Sequence, residues 1–429
     1  VITFLSILIV MFFSVLFYAW FFYPIVLIWA AKKKTRVISR SSSQQLKRSC
    51  FEKNENGLIE GEGLDCNPNR YLDCYPALSI IIAAYNEEKH IGERIKNLLN
   101  SSYPRDKIFI RIGVDGSEDE TATIAEQWAL THRNIKVYNF SERRGKISVL
   151  KNLLADASEE FLVFTDANTV FKPDALSRLI NRFRDPIVGG VCGKLLFRGK
   201  EKEGFYWRCE NRLKDLESNL DSCLGANGAI YAIRRELFWR NIPANTIVDD
   251  FVIGMKVREQ GFRFVFEPKA LAEEEYPKVS EEWVRRIRIG AGDYQALRFC
   301  RRCLLPKYGK FAWIFWSHKV LRWFTPHILI AISFLTFGSF VLVGTNGFYD
   351  NPKSWVVLWI ALLFCLFNLI CFFTCRISTI FNRPKEDGGV MLKFFSMYNY
   401  FLTIELALFC GFLRFCRGNL YGYWKRTER

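Results

Sequence analysis

Charge is almost missing from four stretches of the sequence: residues 1–31, 326–348, 354–375 and 394–413. Each runs to about 20 residues or more, the length that spans about 30 Å of hydrocarbon. Acids are also short relative to bases: 44 Asp and Glu stand against 60 Lys and Arg, a net charge of +16, although half the residues are hydrophobic. A soluble enzyme rarely combines the two. The usual nucleic-acid recognition motifs are missing, so no nucleic acid partner is expected. Much of the basic charge flanks the apolar stretches, which points to anionic lipid and phosphate-bearing substrates instead. The 13 cysteines lack the spacing of a metal or disulfide framework: no Cys-x-x-Cys stands near a second one, and the count is odd. Several (Cys365, Cys371, Cys375, Cys410, Cys416) lie in apolar segments, where free cysteine behaves as a small hydrophobe. No basic stretch precedes the first apolar run and no small-residue cleavage site follows it, so it is expected to remain as an anchor.

What is present divides the chain. Residues 1–36 read as an N-terminal transmembrane helix; Lys32, Lys33, Lys34 and Arg36 follow its apolar part and place the next domain in the cytoplasm. Residues 37–75 are polar and read as a linker or insert. Residues 76–300 have the composition of a soluble domain. Residues 301–325 mix Trp and Phe with Lys310, His318, Lys319 and Arg322, as suits helices lying in the headgroup region. Residues 326–416 hold further transmembrane helices, and 417–429 a cytosolic tail. Glu405 near the middle of the last apolar stretch is costly in lipid. Counting basic residues keeps the tail inside, so that stretch is expected to be re-entrant or packed against other helices.

Within 76–300, short apolar runs alternate with helical patterns. Leu78–Ala83 is a strand, followed by a helix with Ile91, Ile95, Leu98 and Leu99 on one face. Ile108–Val114 is a second strand, followed by a helix from about Glu120; "IKVYNF" is a third and "EFLVFTD" a fourth. This alternation predicts an α/β domain with a mostly parallel sheet, whose ligands bind beyond the carboxyl ends of the strands. Polar residues collect at those ends: Asn86 and Glu87, Asp115 and Asp119, Gly145 and Lys146, Asp166 and Asn168. Crowded carboxylates repel unless a cation sits among them. Oxygen ligands suit Mg²⁺ or Mn²⁺, which commonly bridge substrate phosphates. Each motif also has a plain alternative, since "VDGSEDET" can be a turn with an N-cap and "TDAN" a polar turn.

A second cluster follows. "CLGANGAIYAIRREL" sets Gly225 and Gly228 around Asn227. Asp249 and Asp250 open a helix, where they favour its dipole or supply a general base. Arg285, Arg286 and Arg288 lie within one helical turn and suit either a diphosphate or anionic lipid.

"AAYNEE", "VDGSEDET", "TDAN", "GANGAIYAIRREL", "VDDF" and "RRIRIGAGDYQAL" occur in that order. Together they resemble the membrane-embedded family-two glycosyltransferases: cellulose, chitin and hyaluronan synthases and the bacterial exopolysaccharide synthases. The resemblance implies a cytosolic glycosyltransferase A-type domain that binds a nucleotide sugar, with α-helical transmembrane segments, in the bacterial inner membrane. It implies that Tyr85, Glu87, Asp115 and Lys146 hold the nucleotide of a UDP-sugar. Asp166 would bind the metal, with Asn168 in place of the family's second Asp. Asn227 and Gly228 would meet the acceptor. Asp250 would be the catalytic base, beside Asp249. Arg285, Arg286 and Arg288 match the Gln-x-x-Arg-Trp region, Arg288 stabilising the departing UDP; Ile289 replaces the Trp that floors the acceptor in processive enzymes. Trp424, Thr427 and Arg429 resemble a gating loop over the nucleotide.

The implied function is inverting transfer from a UDP-sugar to a growing polysaccharide that is also moved outward. So few helices would form a pore only as a homo-oligomer. The rival transfers one sugar to a lipid-linked acceptor such as polyprenyl phosphate or a sphingolipid, which Ile289 favours. A non-catalytic nucleotide sensor or membrane scaffold is the alternative of another class.

Overall fold

The computed structural model describes residues 2–33, 75–198, 205–275, 279–346, 355–366, 368, 390–418 and 420. All of the expected 37–75 linker but Tyr75, the tail residues Trp424, Thr427 and Arg429 and most of the connection after 366 lie outside them. The described residues sort into two compact units.

The first is the α/β unit. Strand β1 (Leu78–Ala84) is buried at every position because it lies mid-sheet between two parallel neighbours, β2 (Ile108–Asp115) and β4 (Phe161–Thr165). Helix α2 (Glu88–Leu99) covers it with Ile91, Ile95 and Leu98, all fully buried. Helix α3 (Thr121–Thr131) leads to β3 (Ile135–Phe140), which pairs in parallel outside β2. Helix α4 (Lys146–Ala155) packs Val149 against β2, where a Cβ on Gly113 would fall 2.2 Å from its methyl carbon. Ala84 pairs with Val114, Asp115 with Phe140 and Ile82 with Thr165, so the carboxyl ends of the parallel strands share one edge of the sheet.

Past β4 the sheet becomes mixed. β5 (Val170–Phe171), α5 (Ala175–Asn181), β6 (Val188–Arg198), α6 (Phe205–Leu220), β7 (Tyr231–Arg234), α7 (Asp249–Glu259) and β8 (Arg263–Glu275) complete the unit. The strand order is β3-β2-β1-β4-β7-β6-β8-β5. β7 runs antiparallel to β4 and β6, fixed on one side by the stacked pair Phe164 and Tyr231, 4.7 Å between centroids. β6 and β8 are parallel, and β5 closes the edge antiparallel to β8. The expected mixed, mostly parallel sheet is what forms: four of its seven strand pairings are parallel and three antiparallel.

The second unit is helical. Among the described residues three helices are long and apolar enough to cross a membrane, by length and composition: Thr3–Lys33 (α1), whose first part, to Tyr23, belongs to this unit, and Thr325–Leu342 and Tyr398–Cys416, which lie wholly in it. Residues Trp355–Leu366 form a shorter apolar helix, the described part of the crossing expected at 354–375. Helix α8 (Val279–Cys300), which carries Arg285, Arg286 and Arg288, packs here rather than on the sheet, so this unit takes in the last residues expected in the soluble domain. Its partner is α9 (Val390–Cys416), 27 residues without a break. The two backbones nearly touch: a Cβ on Gly411 would stand 2.7 Å from the Ala291 nitrogen and 2.9 Å from the Gly290 Cα. Glu405 is buried within this packing.

Candidate active site

The loops at the carboxyl edge are tied to one another before any ligand is considered. Asn86 takes the left-handed conformation (φ 53°) and crosses to the next loop: its amide donates to Ser117 Oγ at 3.0 Å and its Oδ1 accepts from the Glu118 amide at 3.0 Å. The Glu87 amide donates to Thr121 Oγ1 (2.7 Å) and the Glu88 amide to Asp119 Oδ2 (3.2 Å). Asp119 also accepts from the Thr121 amide two residues on, a turn just ahead of α3, whose N-cap position is Glu120. Asp115, fully buried at the end of β2, accepts from the amides of Arg144 (2.6 Å) and Gly145 (2.9 Å). Gly145 has φ 85°, which a side chain would strain, and it hands the chain to α4.

Lys146 opens α4 and reaches back over the strand ends. Its Nζ lies 3.1 Å from Asp166 Oδ1 and 3.7 Å from Asp249 Oδ2. Burial works to lower its pKa, but Asp166, Asp249 and Asp250 outweigh burial and hold the ammonium above its usual range. Asp250 stands at the start of α7, its Oδ1 accepting from the Phe251 amide at 2.8 Å. Withdrawal from water and then the charge of Asp249 push its pKa up to about 6, with Lys146 opposing.

The arrangement centres on Gly228. A Cβ placed there would stand 3.4 Å from Asp166 Oδ2, 3.5 Å from Asp250 Oδ2 and 3.8 Å from Lys146 Nζ. Two carboxylate oxygens from distant parts of the chain, Asp166 and Asp250, therefore face one small space that a side chain would fill. Among the described residues no three His, Cys, Asp or Glu groups form a closed metal cage. An open pair of oxygen donors fits a hard divalent cation that takes its remaining ligands from water and substrate phosphate. Asn168, two residues beyond Asp166, is half-buried.

Not every predicted residue points into this space. The Asn227 amide donates to the Gly193 carbonyl (3.1 Å) and its Oδ1 accepts from the Ile230 amide (3.2 Å), so its side chain shapes the turn that presents Gly228. Tyr85 is half-buried beside the 141–145 loop, and the Arg143 guanidinium lies 3.7 Å from its ring centroid. The sequence reading missed Arg143; the aromatic at 85 facing a basic loop was the available signal. Arg285 and Arg286 bond Glu282 at 3.4 and 2.6 Å, and Arg286 also donates to Tyr400 Oη at 3.0 Å, all within the helical unit.

Comparison with known proteins fits this geometry. The model of Glycosyl transferase family 2 matches residues 79–242, and that of Glycosyl transferase family group 2 matches residues 161–374. The chain belongs to the family-two glycosyltransferases. This glycosyltransferase is 24% identical over 374 residues to a poly-beta-1,6-N-acetyl-D-glucosamine synthase of Staphylococcus epidermidis, covering 82% of this chain and 87% of the relative. Its counterpart in S. epidermidis strain RP62A is 25% identical over 404 residues, 89% and 90% of the two chains. A synthase with the same description from Staphylococcus aureus strain COL is 25% identical over 251 residues, 54% and 58%. The fold is shared with the mannosyltransferase PcManGT from Pyrobaculum calidifontis, solved in complex with GDP-Man and Mn²⁺: TM-score 0.63, 20% identity, 96% of this chain and 99% of that one. The glycosyltransferase is accordingly an enzyme of hexosyl transfer on a glycosyltransferase A-type scaffold.

Proposed function

We propose that this glycosyltransferase extends a polysaccharide from a UDP-sugar at the cytosolic face of a membrane, with inversion at the anomeric carbon, and that its apolar helices pass the product outward. The observation that carries the reading is the convergence of Asp166, Asp250 and Lys146 on the space at Gly228. The names of the staphylococcal relatives support a polymer and, as its sugar, N-acetylglucosamine.

In this mechanism Asp250, ionised at neutral pH with a pKa of about 6, accepts the proton of the acceptor hydroxyl. The oxygen then forms its bond to the anomeric carbon as the bond to the diphosphate breaks on the opposite face. Lys146 fixes the Asp166 carboxylate and offsets negative charge gathered there. A divalent cation, Mg²⁺ or Mn²⁺, held by Asp166 with Asn168 nearby, would supply charge neutralisation for the leaving diphosphate. Tyr85, Glu87 and Asp115 serve the nucleotide, Asp115 through the backbone loop that it holds. Asn227 and Gly228 form the acceptor side. Arg285, Arg286, Arg288, Trp424, Thr427 and Arg429 keep the diphosphate and gating roles on the strength of the motif alone.

Ile289, in place of the acceptor-floor Trp, favours a second reading, transfer of one sugar to a lipid acceptor. The deciding experiment incubates detergent-purified protein with labelled UDP-N-acetylglucosamine, other UDP-sugars and GDP-mannose, with and without chelator. Chelator-sensitive product of high mass that resists organic extraction is expected. A small extractable glycolipid overturns the polymerase reading, and a GDP-mannose preference overturns the UDP donor.

A further inference from the structure

Arg94 sits in the middle of α2 and is 1% exposed. Fully buried arginine is rare and costly, and here the cost is only partly offset, since Nε makes no hydrogen bond while both terminal nitrogens do. Here Nη2 donates to Thr165 Oγ1 at 2.8 Å, Nη1 donates to Asn97 Oδ1 at 2.7 Å, and the guanidinium lies 4.0 Å from the Phe171 ring centroid. Each partner belongs to one stretch or braces it. Thr165 immediately precedes Asp166 and donates onward to the Ala229 carbonyl at 2.8 Å, one residue after Gly228. Asn97 holds the far end of the same turn, donating to the Phe171 carbonyl (2.9 Å) and accepting from the Phe171 amide (2.8 Å). Thr169, inside the turn, donates to the buried Glu274 at 2.6 Å. Burial lowers the Arg94 pKa to about 9, while Glu274 and Asp166 both work to raise it, so the guanidinium remains charged at neutral pH.

We propose that Arg94 is a positioning residue for the cation site: clamped to Thr165 and Asn97, it fixes the Asp166 turn against the Gly228–Ala229 turn and so sets where the Asp166 carboxylate stands beside Gly228. The inference rests on the metal–nucleotide-sugar reading above. Packing alone does not account for it, because an apolar side chain of similar volume fills such a space at equal or lower cost than a buried ion. A guanidinium adds a second feature, two donors in a rigid fork that grip two turns at once.

The test measures Mn²⁺ binding to the full-length, detergent-purified protein by electron paramagnetic resonance in the presence of UDP, alongside thermal unfolding. The variants are Arg94→Met, Arg94→Lys, Thr165→Val and the Arg94→Met/Thr165→Val double. Second-layer groups at metal sites typically change affinity 10- to 100-fold, so Mn²⁺ binding is expected to weaken about tenfold or more in Arg94→Met and in Thr165→Val. The double variant is expected to lose no more than the weaker single, and Arg94→Lys to recover part of the loss. Thr165→Val keeps the buried charge and the side-chain shape, so it decides the matter by itself if Arg94→Met does not fold. Affinities within twofold of the unmodified protein in the folded variants, with or without a drop in unfolding temperature, overturn the inference. Absence of Mn²⁺ binding by the unmodified protein overturns the metal reading itself and this inference with it.

Discussion

Lys146 Nζ stands 3.1 Å from Asp166 Oδ1, a salt bridge between the first residue of a helix and the residue just past a neighbouring strand. The same ammonium lowers the pKa of Asp250. Lys146→Met is therefore expected to do two separable things. Turnover falls about 100-fold, the scale for losing one electrostatic partner of a developing charge. The acid limb of the pH–rate profile also moves to higher pH, because Asp250 loses the cation that favours its ionised form. Steady-state rates from pH 5 to 9 check both.

Asp250 gives a pH signature of its own. With a pKa of about 6, kcat/KM is expected to fall tenfold per pH unit below 6 and to level off above it. The sign for stability is opposite. The carboxyl ordinarily titrates at 3.8 and in the fold at about 6, so the folded state binds the proton more tightly. Ionisation destabilises the fold fully above pH 6, and this penalty fades as pH falls towards 3.8. Asp250→Asn should thus unfold at higher temperature than the unmodified protein at pH 7.5, with the gap closing at pH 4. It should lose about 10²- to 10⁴-fold in rate, the range for a general base. Unchanged sugar transfer in this variant would remove Asp250 from the role of general base.

Gly228→Ala tests the shared space directly. The methyl group would sit 3.4–3.8 Å from Asp166, Asp250 and Lys146, ordinary contact distances, so folding should survive. The room for a cation and an acceptor oxygen should not. Thermal unfolding is expected to stay within a few degrees while donor turnover drops about 100-fold. A fully active Gly228→Ala would show that the chemistry happens elsewhere.

Gly411→Val probes the helical unit. A branched side chain would meet the Ala291 and Gly290 backbone below 3 Å, contacts that no rotamer relieves. Overpacking of this kind costs about 1–3 kcal/mol. A lower unfolding temperature in detergent, with Gly411→Ala intermediate, is the expected result.

Much of this was legible in the amino-acid order. Strand β1 declared itself as an unbroken apolar run because both its faces are covered, and Ile91, Ile95 and Leu98 marked the inner face of α2 by their spacing. Asp166, Lys146 and Asp250 stood out as a set: each alone could be a turn or a helix start, but polar residues at successive strand ends of one parallel sheet share an edge. The β7-β6-β8-β5 half did not show itself: its pairings join residues as far apart as Val170 and Glu273, and local pattern carries no such information. Asn227 reads as an acceptor contact; that its amide also holds the turn presenting Gly228 depends on the Gly193 and Ile230 backbone, which local pattern does not show. Arg94 was overlooked although its place held a clue. It follows Ile91 by three and precedes Leu98 by four, which puts a charged residue on the stripe that faces the core.

Asp115 has a wider meaning for how the donor is received. Both of its oxygens are already engaged by the amides of Arg144 and Gly145, so the 141–145 segment stands in a fixed shape ahead of any encounter. On the proposed reading, a nucleotide arriving there would meet a finished wall and lose no affinity to freezing a slack one. Strengthening donor capture by stiffening this segment should accordingly gain little, and loosening it at position 115 should slow capture well before it disturbs the transfer itself.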